Sequence, residues 1–222
     1  MIPQTGSQID QDHEADSTRL MLDAIETRDH VTQRGLASEL GIALGLTNIY
    51  LKRCINKGLI KVRKVPARRY AYYLTAKGFT EKARLTAKFL SRSLSFFRLA
   101  REDCAELFTA GKARGITRIA LIGAGDLCEI ATLAALDCGV EVVAIFDEET
   151  NRQQFAGVPV VRALENLGET DAVVVTDMKD PQAAYERMCA VLGRDKVLFP
   201  SLLRLSTGRA VKAASRAGVS RS

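Results

Sequence analysis

Apolar residues recur at helical spacing in two short stretches that meet at Gly41. The first stretch covers roughly residues 32–40, and the second begins near Ala43. One side of the second stretch carries Leu44, Thr47, Leu51, Cys54 and Ile55. This pattern predicts two helices, joined by a tight turn at Gly41, that bury these sides in a common core.

The opposite side of the second helix is predicted to face outward. It carries Gly45, Ile49, Lys52 and Arg53, with Leu46 and Asn48 flanking them. An asparagine amide can hydrogen-bond adenine bidentately, while lysine and arginine suit phosphates. Asn48, Lys52 and Arg53 therefore make this side a candidate for contact with the major groove of DNA.

Strand-like alternation of apolar and polar residues follows Gly58, which is expected to end the second helix as a left-handed cap. Residues 59–63 and 70–74 show this alternation, and the tip between them carries Arg68 and Arg69. Both arginines are placed to reach a sugar-phosphate backbone or a minor groove. Two helices followed by a hairpin predict a winged helix-turn-helix, although such a hairpin also suits a solvated protein–protein surface.

Charge is divided unequally along the chain, whose net charge is +6. Residues 43–101 contain 15 lysines and arginines against one acidic residue, Glu81, which gives +14. Residues 119–200 contain 6 basic and 14 acidic residues, which gives −8. Because a block as basic as the first attracts a polyanion, double-stranded DNA is the predicted partner of the N-terminal half.

Two segments of this half carry a resemblance to a known family: TQRGLASELGIALGLTNIYLKRCINKGLIKVRK and YAYYLTAKGFTEKARLTAKFL. They resemble the MarR-type winged-helix regulators over about residues 18–90. The resemblance is strongest to the subgroup associated with bacterial exopolysaccharide gene clusters. It implies a regulator of transcription.

The N-terminal half is predicted to begin with a disordered polar arm at residues 1–15. The winged helix-turn-helix domain, of α+β class, is predicted at residues 16–90, with a first helix capped by Asp16 or Ser17. The long helical pattern after the hairpin has an apolar stripe that one small domain would not bury. Residues 91–115 are therefore predicted as a linker and dimerisation helix, and packing inside the monomer is the alternative.

The C-terminal half opens with an apolar strand, Arg118–Ile122, that runs directly into Gly123-Ala124-Gly125-Asp126. A helix is predicted next, then a strand at residues 140–146 that ends at Asp147. In such a unit the first glycine permits the turn, the second lets a phosphate approach the helix N-terminus, and the acid binds ribose hydroxyls. The pattern predicts a small α/β Rossmann-like domain with a parallel sheet at residues 116–203.

The ligand crevice of this domain is expected at the carboxyl ends of its strands. The candidate nucleotide-binding residues are Gly123, Gly125, Asp126, Asp147 and Thr176. Two features oppose a diphosphate there: Cys128 replaces a third small residue, and Asp126 with Glu129 places negative charge at the helix N-terminus. A Rossmann-like fold that binds no ligand is therefore the alternative.

The segments IALIGAGDLCEIATLAALDCGVEVVAIFDEE and FAGVPVV carry a second resemblance. Over about residues 116–199 the chain resembles the nucleotide-binding domain of sugar acyltransferases and the CoA-binding-like domains of polysaccharide-modifying enzymes. A winged helix joined to such a unit is also similar to the redox-sensing repressors that respond to NADH. These resemblances imply NAD(H) or a nucleotide-sugar as the ligand.

The 222 residues suffice for two modest domains. Because no apolar run reaches the roughly 18 residues of a membrane span and the N-terminus lacks a signal-peptide pattern, a cytoplasmic protein without membrane contact is expected. Five cysteines without CxxC spacing and two histidines indicate neither a disulfide framework, a metal site nor a histidine-based catalytic centre. Residues 204–222 are small, polar and basic, and are predicted to be a disordered tail.

Together these features predict a homodimeric DNA-binding transcription regulator rather than an enzyme. Its operator affinity would be modulated by a nucleotide-type ligand, with polysaccharide genes as candidate targets. The alternative is a nucleotide-sugar or dinucleotide-dependent enzyme with a DNA-binding appendage. A third hypothesis is a regulator that senses oxidants through Cys128, since thiolates are favoured at a helix N-terminus.

Overall fold

The computed structural model describes residues 6–27, 31–65 and 69–207. The chain divides into two compact units, Met1–Leu94 and Ser95–Ser222. The described part of each unit has a buried hydrophobic core of its own.

The first unit contains helices and a two-stranded sheet. Its elements are α1 (Gly6–Thr27), α2 (Gln33–Leu40), α3 (Leu44–Asn56), β1 (Ile60–Val65) and β2 (Arg69–Leu74). Helix α4 (Ala76–Lys112) begins in this unit and ends in the second one. The order of three helices followed by a hairpin confirms the winged helix that the sequence predicts.

Local chemistry fixes the ends of α2 and the start of α3. The Thr32 hydroxyl accepts a hydrogen bond of 3.0 Å from the Gly35 N–H and so caps α2. Gly41 ends α2 in the left-handed conformation, with φ 62°. Ala43 precedes α3 without a side-chain cap.

The core of the first unit lies between α1, α2, α3 and the hairpin. Strands β1 and β2 pair antiparallel, with Ile60 opposite Leu74. The buried residues of this core are Met21, Leu22, Ala24, Ile25, Val31, Leu36, Leu51, Cys54, Leu59, Ile60 and Tyr72. This packing fixes α3 while leaving one of its sides open.

Helix α1 is longer than the sequence predicts, and the long predicted helix α4 runs without a break through the domain boundary predicted at residue 90. Helix α1 begins at Gly6 rather than at Asp16 or Ser17, since the polar residues 7–15 contain neither glycine nor proline to interrupt it. Helix α4 continues unbroken past residue 90, and the Ser93 hydroxyl donates to the Phe89 carbonyl at 3.0 Å instead of capping a new helix. Despite their length, none of the described helices has the apolar character that a membrane span requires.

The second unit consists of a six-stranded sheet and its helices. The strands are β3 (Arg118–Ile122), β4 (Glu141–Phe146), β5 (Gln154–Phe155), β6 (Val158–Val161), β7 (Ala172–Val175) and β8 (Val197–Leu198). The helices are α5 (Asp126–Cys138) and α6 (Pro181–Leu192). Short 3-10 turns lie at Leu164–Asn166, Arg194–Lys196 and Ser201–Leu203.

The strand order is β5-β6-β4-β3-β7-β8, and every neighbouring pair is parallel except β5 and β6. The parallel sheet that the sequence predicts is therefore a mixed sheet. The exception follows from a tight turn at Ala156 and Gly157, whose φ angles of 49° and 79° reverse the chain after the two residues of β5.

Successive residues of β3 pack on opposite faces of the sheet. Ile119 and Leu121 contribute to a core with α5 and the last turns of α4. Ala120 and Ile122 contribute to a second core with α6. Because helices cover both faces, the carboxyl ends of β3, β4 and β7 are where this sheet offers room for a ligand.

Candidate nucleic-acid interface and ligand cleft

The inward side of α3 follows the predicted pattern with one exception. Thr47 is fully buried, and its hydroxyl donates to the Ala43 carbonyl at 3.1 Å. Leu51 and Cys54 are buried as well. The predicted inward position of Leu44 is wrong, since this residue is 40% exposed and the buried residues of α3 begin only at Thr47.

The outward side of α3 is apolar in its first two turns. Leu46 is 39% exposed and Ile49 is 53% exposed. A side chain added at Gly45 would meet nothing within 4 Å. Lys52 and Arg53 are exposed one turn further on. The structure thus brings these five predicted DNA-contact residues to the accessible part of the helix.

Asn48 lies in a groove of about 420 Å³ between α3 and the hairpin, and it is less exposed than Ile49. Its Oδ1 atom is buried and has no hydrogen-bond partner among the described residues. The groove is lined by Gln33, Asn48, Leu51, Lys52, Ile55, Val62, Tyr70 and Tyr72, and Gln33 Nε2 donates to the Tyr72 hydroxyl at 3.2 Å. Sequence reasoning missed Gln33 and Tyr70 because their position beside α3 depends on how the hairpin folds back.

Arg53, which the sequence assigns to phosphates, is engaged within the protein. Its Nη1 lies 2.5 Å from Glu14 Oε1 of α1, and its guanidinium carbon lies 6.0 Å from the centre of the Tyr50 ring. A phosphate would have to compete with that carboxylate. Of the two predicted tip arginines, Arg69 opens β2, and Arg68 lies outside the described residues.

Two groups of basic residues in the first unit differ in their ion pairing. On α4, carboxylates pair with Lys82, Arg84 and Arg92. A second group is exposed to solvent, and no carboxylate among the described residues pairs with it: Lys52, Lys57, Lys61, Arg63 and Lys64. Five exposed cations without a carboxylate partner thus lie on α3, on the residue after it and on β1, which the total charge of this half does not reveal. In the described part of the chain, Arg34 of α2 and Lys77 of α4 are also exposed without such a partner.

A cleft of about 230 Å³ lies at the carboxyl ends of β3, β4 and β7. Four of the predicted nucleotide-binding residues line this cleft: Gly123, Gly125, Asp147 and Thr176. The fifth, Asp126, lines an adjoining hollow. The fold thus brings together residues that are up to 53 positions apart in the sequence.

The two glycines of the turn have different surroundings. Gly123 has φ 99°, and a Cβ there would lie 2.8 Å from the Cα of Asp177. Only glycine fits at this position, because the turn packs against the loop after β7. Gly125 has an extended conformation, with φ −130°, and a Cβ there would meet nothing within 4 Å. The space beside Gly125, at the start of α5, is open.

The Asp147 carboxylate is bound to the backbone of the protein itself. Its Oδ2 accepts from the Ala124 N–H at 2.8 Å, and its Oδ1 accepts from the N–H groups of Glu149 and Thr150 at 2.9 and 3.0 Å. Burial alone would raise the pKa of Asp147, but the three backbone donors and Lys179 outweigh it and lower the pKa. A ribose hydroxyl would therefore share a carboxylate that already holds the glycine turn.

Thr176 and Asp126 have contrasting environments. Thr176 is fully buried, and its hydroxyl lies 2.9 Å from the carbonyl oxygens of both Ile122 and Gly123. This hydroxyl ties β7 to the end of β3 and has no second hydrogen to donate to a ligand. Asp126 is exposed in the first turn of α5.

Acidic side chains outnumber basic ones around the cleft. The charged residues on its walls are Asp147, Glu148, Glu149 and Asp177 against Lys179 and Arg187. Both cations are paired, Lys179 with Glu149 and Arg187 with Glu148, each at 2.5 Å. A diphosphate would meet a net negative surface here, whereas the uncharged part of a nucleotide would not be repelled.

The environment of Cys128 contradicts the hypothesis of oxidant sensing. Its side chain is fully buried in α5, and burial raises the pKa of this thiol to about 12. A buried thiol with such a pKa does not supply the reactive thiolate. Within the described part of the chain, no three metal-binding side chains come together either.

Comparison with known proteins bears directly on the first unit. Residues 15–61 match the family of winged helix-turn-helix DNA-binding domains. The matched segment runs from α1 through α2 and α3 to the start of β1. The winged helix-turn-helix that the sequence predicts is thereby confirmed by an independent comparison. None of the curated protein sequences is similar enough to the chain to match it.

Several solved structures are similar to parts of the chain. MepR, a transcription regulator of the Staphylococcus aureus multidrug efflux pump MepA, is 19% identical over 38% of this chain and 61% of its own, with a TM-score of 0.33. Human N-acetylserotonin methyltransferase in complex with SAM is 15% identical over 77% and 67%, with a TM-score of 0.31. PigF with SAH is 16% identical over 89% and 59%, with a TM-score of 0.24. The chain spans less than two thirds of MepR and of PigF, and at these TM-scores the similarities do not establish a shared function.

Proposed function

We propose that this protein is a cytoplasmic, homodimeric transcription regulator that binds double-stranded DNA through its winged helix-turn-helix. The observation that carries the proposal is a group of exposed cations on α3, on the residue after it and on β1, with which no carboxylate in the described part of the chain pairs: Lys52, Lys57, Lys61, Arg63 and Lys64. DNA phosphates suit such a group, and the second helix of a helix-turn-helix lies in the major groove. The resemblance to exopolysaccharide-associated regulators makes promoters of polysaccharide genes the first operators to test.

The test of DNA binding is selection of duplexes from a random pool, followed by fluorescence-anisotropy titration of the selected sequence. We expect Lys52→Ala to weaken binding by about tenfold, because a charged hydrogen bond to a phosphate is lost. Arg84→Ala, which removes the same charge from a residue paired with Glu81, is the matched control and should leave the affinity unchanged. A protein that binds no duplex at all, or two variants with equal losses, would refute this interface.

We further propose that the second unit is a Rossmann-like domain for a nucleotide-type effector, either NAD(H) or a nucleotide-sugar. Three features support this: the cleft at the strand ends, the open space beside Gly125 and the acid Asp147 at the end of β4. The acidic walls favour the ribose and base over the phosphates as the main contacts. The effector would alter the spacing of two recognition helices, which need to lie about 34 Å apart to read successive turns.

The test of the effector is titration of the operator complex with NADH, NAD and UDP-sugars. We expect one of these ligands to change the DNA affinity by at least about fivefold, as ligands coupled to a second site do. Gly125→Ala should abolish the change, because its methyl group enters the open space. If no ligand has an effect, the protein is a DNA-binding regulator without this effector, and turnover of a ligand would instead support an enzyme.

The homodimer is proposed from the surface of α4. Leu90 and Leu94 are exposed one helical turn apart, and a second copy of the chain would bury them. In sedimentation equilibrium we expect the unaltered chain to be a dimer and Leu90→Lys with Leu94→Lys to be a monomer. An unaltered chain that stays monomeric at the concentrations of the DNA titration would contradict the dimer.

A further inference from the structure

The outward side of α3 lacks hydrogen-bonding side chains in the part of the helix that would meet base edges. Leu44, Leu46 and Ile49 are exposed there, and Gly45 has no side chain. The two polar residues of the same stretch turn elsewhere. Thr47 bonds to the Ala43 carbonyl in the core, and Asn48 lies in the groove toward the hairpin with its Oδ1 buried.

An apolar surface restricts what the helix can recognise in a major groove. The edges of G·C pairs present only hydrogen-bond donors and acceptors, which lose water without gaining a partner when leucine or isoleucine covers them. The C5-methyl group of thymine is the apolar feature of the unmodified major groove. Leu46 and Ile49 can bury such methyl groups, which need no hydrogen-bond partner.

We propose that α3 reads its operator mainly through thymine methyl groups, which Leu46 and Ile49 contact. This inference rests on the proposed DNA-binding function and adds the chemistry of the half-site to it. Charge complementarity identifies the occupant of the apolar face as DNA. The exposed cations Lys52, Lys57 and Lys61 lie on α3, on the residue after it and on β1, and no carboxylate among the described residues forms an ion pair with them.

The experiment replaces thymine by deoxyuridine in the selected operator, which removes the methyl group and keeps base pairing and phosphates. For each thymine that contacts the helix, we expect a loss of about fourfold in affinity, which corresponds to one buried methyl group. Leu46→Ala with Ile49→Ala should bind the thymine operator more weakly and should no longer distinguish it from the deoxyuridine operator, whereas Ile49→Ala alone should lose part of the distinction. Lys52→Ala is the matched control, since it should weaken binding to both operators by the same factor.

The outcomes separate this inference from the function on which it rests. Equal affinity of the unaltered protein for the two operators would overturn thymine reading and leave DNA binding intact. Binding to neither operator nor any other duplex would refute DNA binding itself. Because Leu46 and Ile49 are exposed, the unfolding midpoint of the double variant should stay close to that of the unaltered protein. A folded double variant that still distinguishes the two operators by the full factor would overturn the role of these two residues.

Discussion

Gly123 and Gly125 lie in the same turn but tolerate a side chain very differently. Gly123→Ala should lower the free energy of unfolding by about 2–4 kcal/mol, because the new Cβ collides with the backbone of Asp177 and φ 99° disfavours alanine. Gly125→Ala should change it by less than about 0.5 kcal/mol, since its Cβ enters open space. Urea unfolding of both variants measures the difference. Equal losses would contradict the close approach between Gly123 and Asp177.

The buried Oδ1 acceptor of Asn48 has no hydrogen-bond partner within the described ranges, and such an atom costs free energy in the folded state. Asn48→Leu removes the acceptor and keeps a side chain of similar size, so we expect the free energy of unfolding to rise by about 1 kcal/mol. Thr47→Val is the neighbouring control. It removes a hydroxyl that is already hydrogen-bonded and should lower the free energy of unfolding by about 1 kcal/mol. If Asn48→Leu is the less stable variant in urea, its Oδ1 has a partner in solution.

Single residues could be predicted from the sequence where local rules govern them. The inward position of Thr47 follows from helical spacing, and the turn at Gly123 follows from a glycine after a buried strand. Contacts between distant elements could not be predicted. A Cβ at Gly78 would lie 2.2 Å from the Leu59 carbonyl oxygen, and Arg53 pairs with an acid of α1, so both depend on how the helices dock.

At the scale of elements, Asp147 joins the end of β4 to the turn after β3. Its pKa is lowered in the folded protein, so its stabilisation is complete above the unfolded value of 3.8 and is lost as the pH falls through the folded value. Asp147→Asn should therefore lower the free energy of unfolding by about 2 kcal/mol at pH 7. Urea unfolding at several pH values should show this difference shrinking below about pH 4. A difference that stayed constant into strong acid would rule out the carboxylate as its source.

The hairpin is predicted to contribute affinity without sequence preference. Arg63→Ala with Lys64→Ala should reduce the slope of log affinity against log salt by about 2, since each phosphate contact contributes about one unit. The tip variant Arg68→Ala with Arg69→Ala should also reduce this slope by about 2. Ile49→Ala is the control, because it removes no charge and should keep the slope. An unchanged slope in the hairpin variants would show that the phosphates are contacted by other residues.

The order of the longer helices and strands could be predicted because each of these elements is long enough to show its period. Element ends were harder to predict, since residues that can cap a helix also occur inside one. Asp16 lies within α1 and pairs with Arg92, and Ser93 bonds back to Phe89 within α4. The antiparallel strand β5 was missed because two residues are too few for a pattern.

At the scale of the whole molecule, the charges differ between the halves, +14 over residues 43–101 and −8 over residues 119–200. This division could be counted directly from the sequence. Its consequence is that DNA is attracted by one half and repelled by the other. An effector in the acidic half would therefore act on DNA affinity through the conformation of the chain and not by competing for the same surface.

Thermodynamic linkage gives the sharpest test of a regulator against an enzyme with a DNA-binding appendage. If an effector weakens operator binding tenfold, saturating operator must weaken effector binding by the same factor. We expect equal factors from anisotropy of labelled operator with the effector present and from calorimetry of the effector with operator bound. Gly125→Ala should abolish both the effect of the effector on operator binding and the effect of the operator on effector binding. Gly45→Ala, which changes the open outward side of α3, should leave effector binding to the free protein unaltered. An effector that binds the protein identically with and without operator would show that the two sites are independent, and the cleft would then serve a purpose of its own.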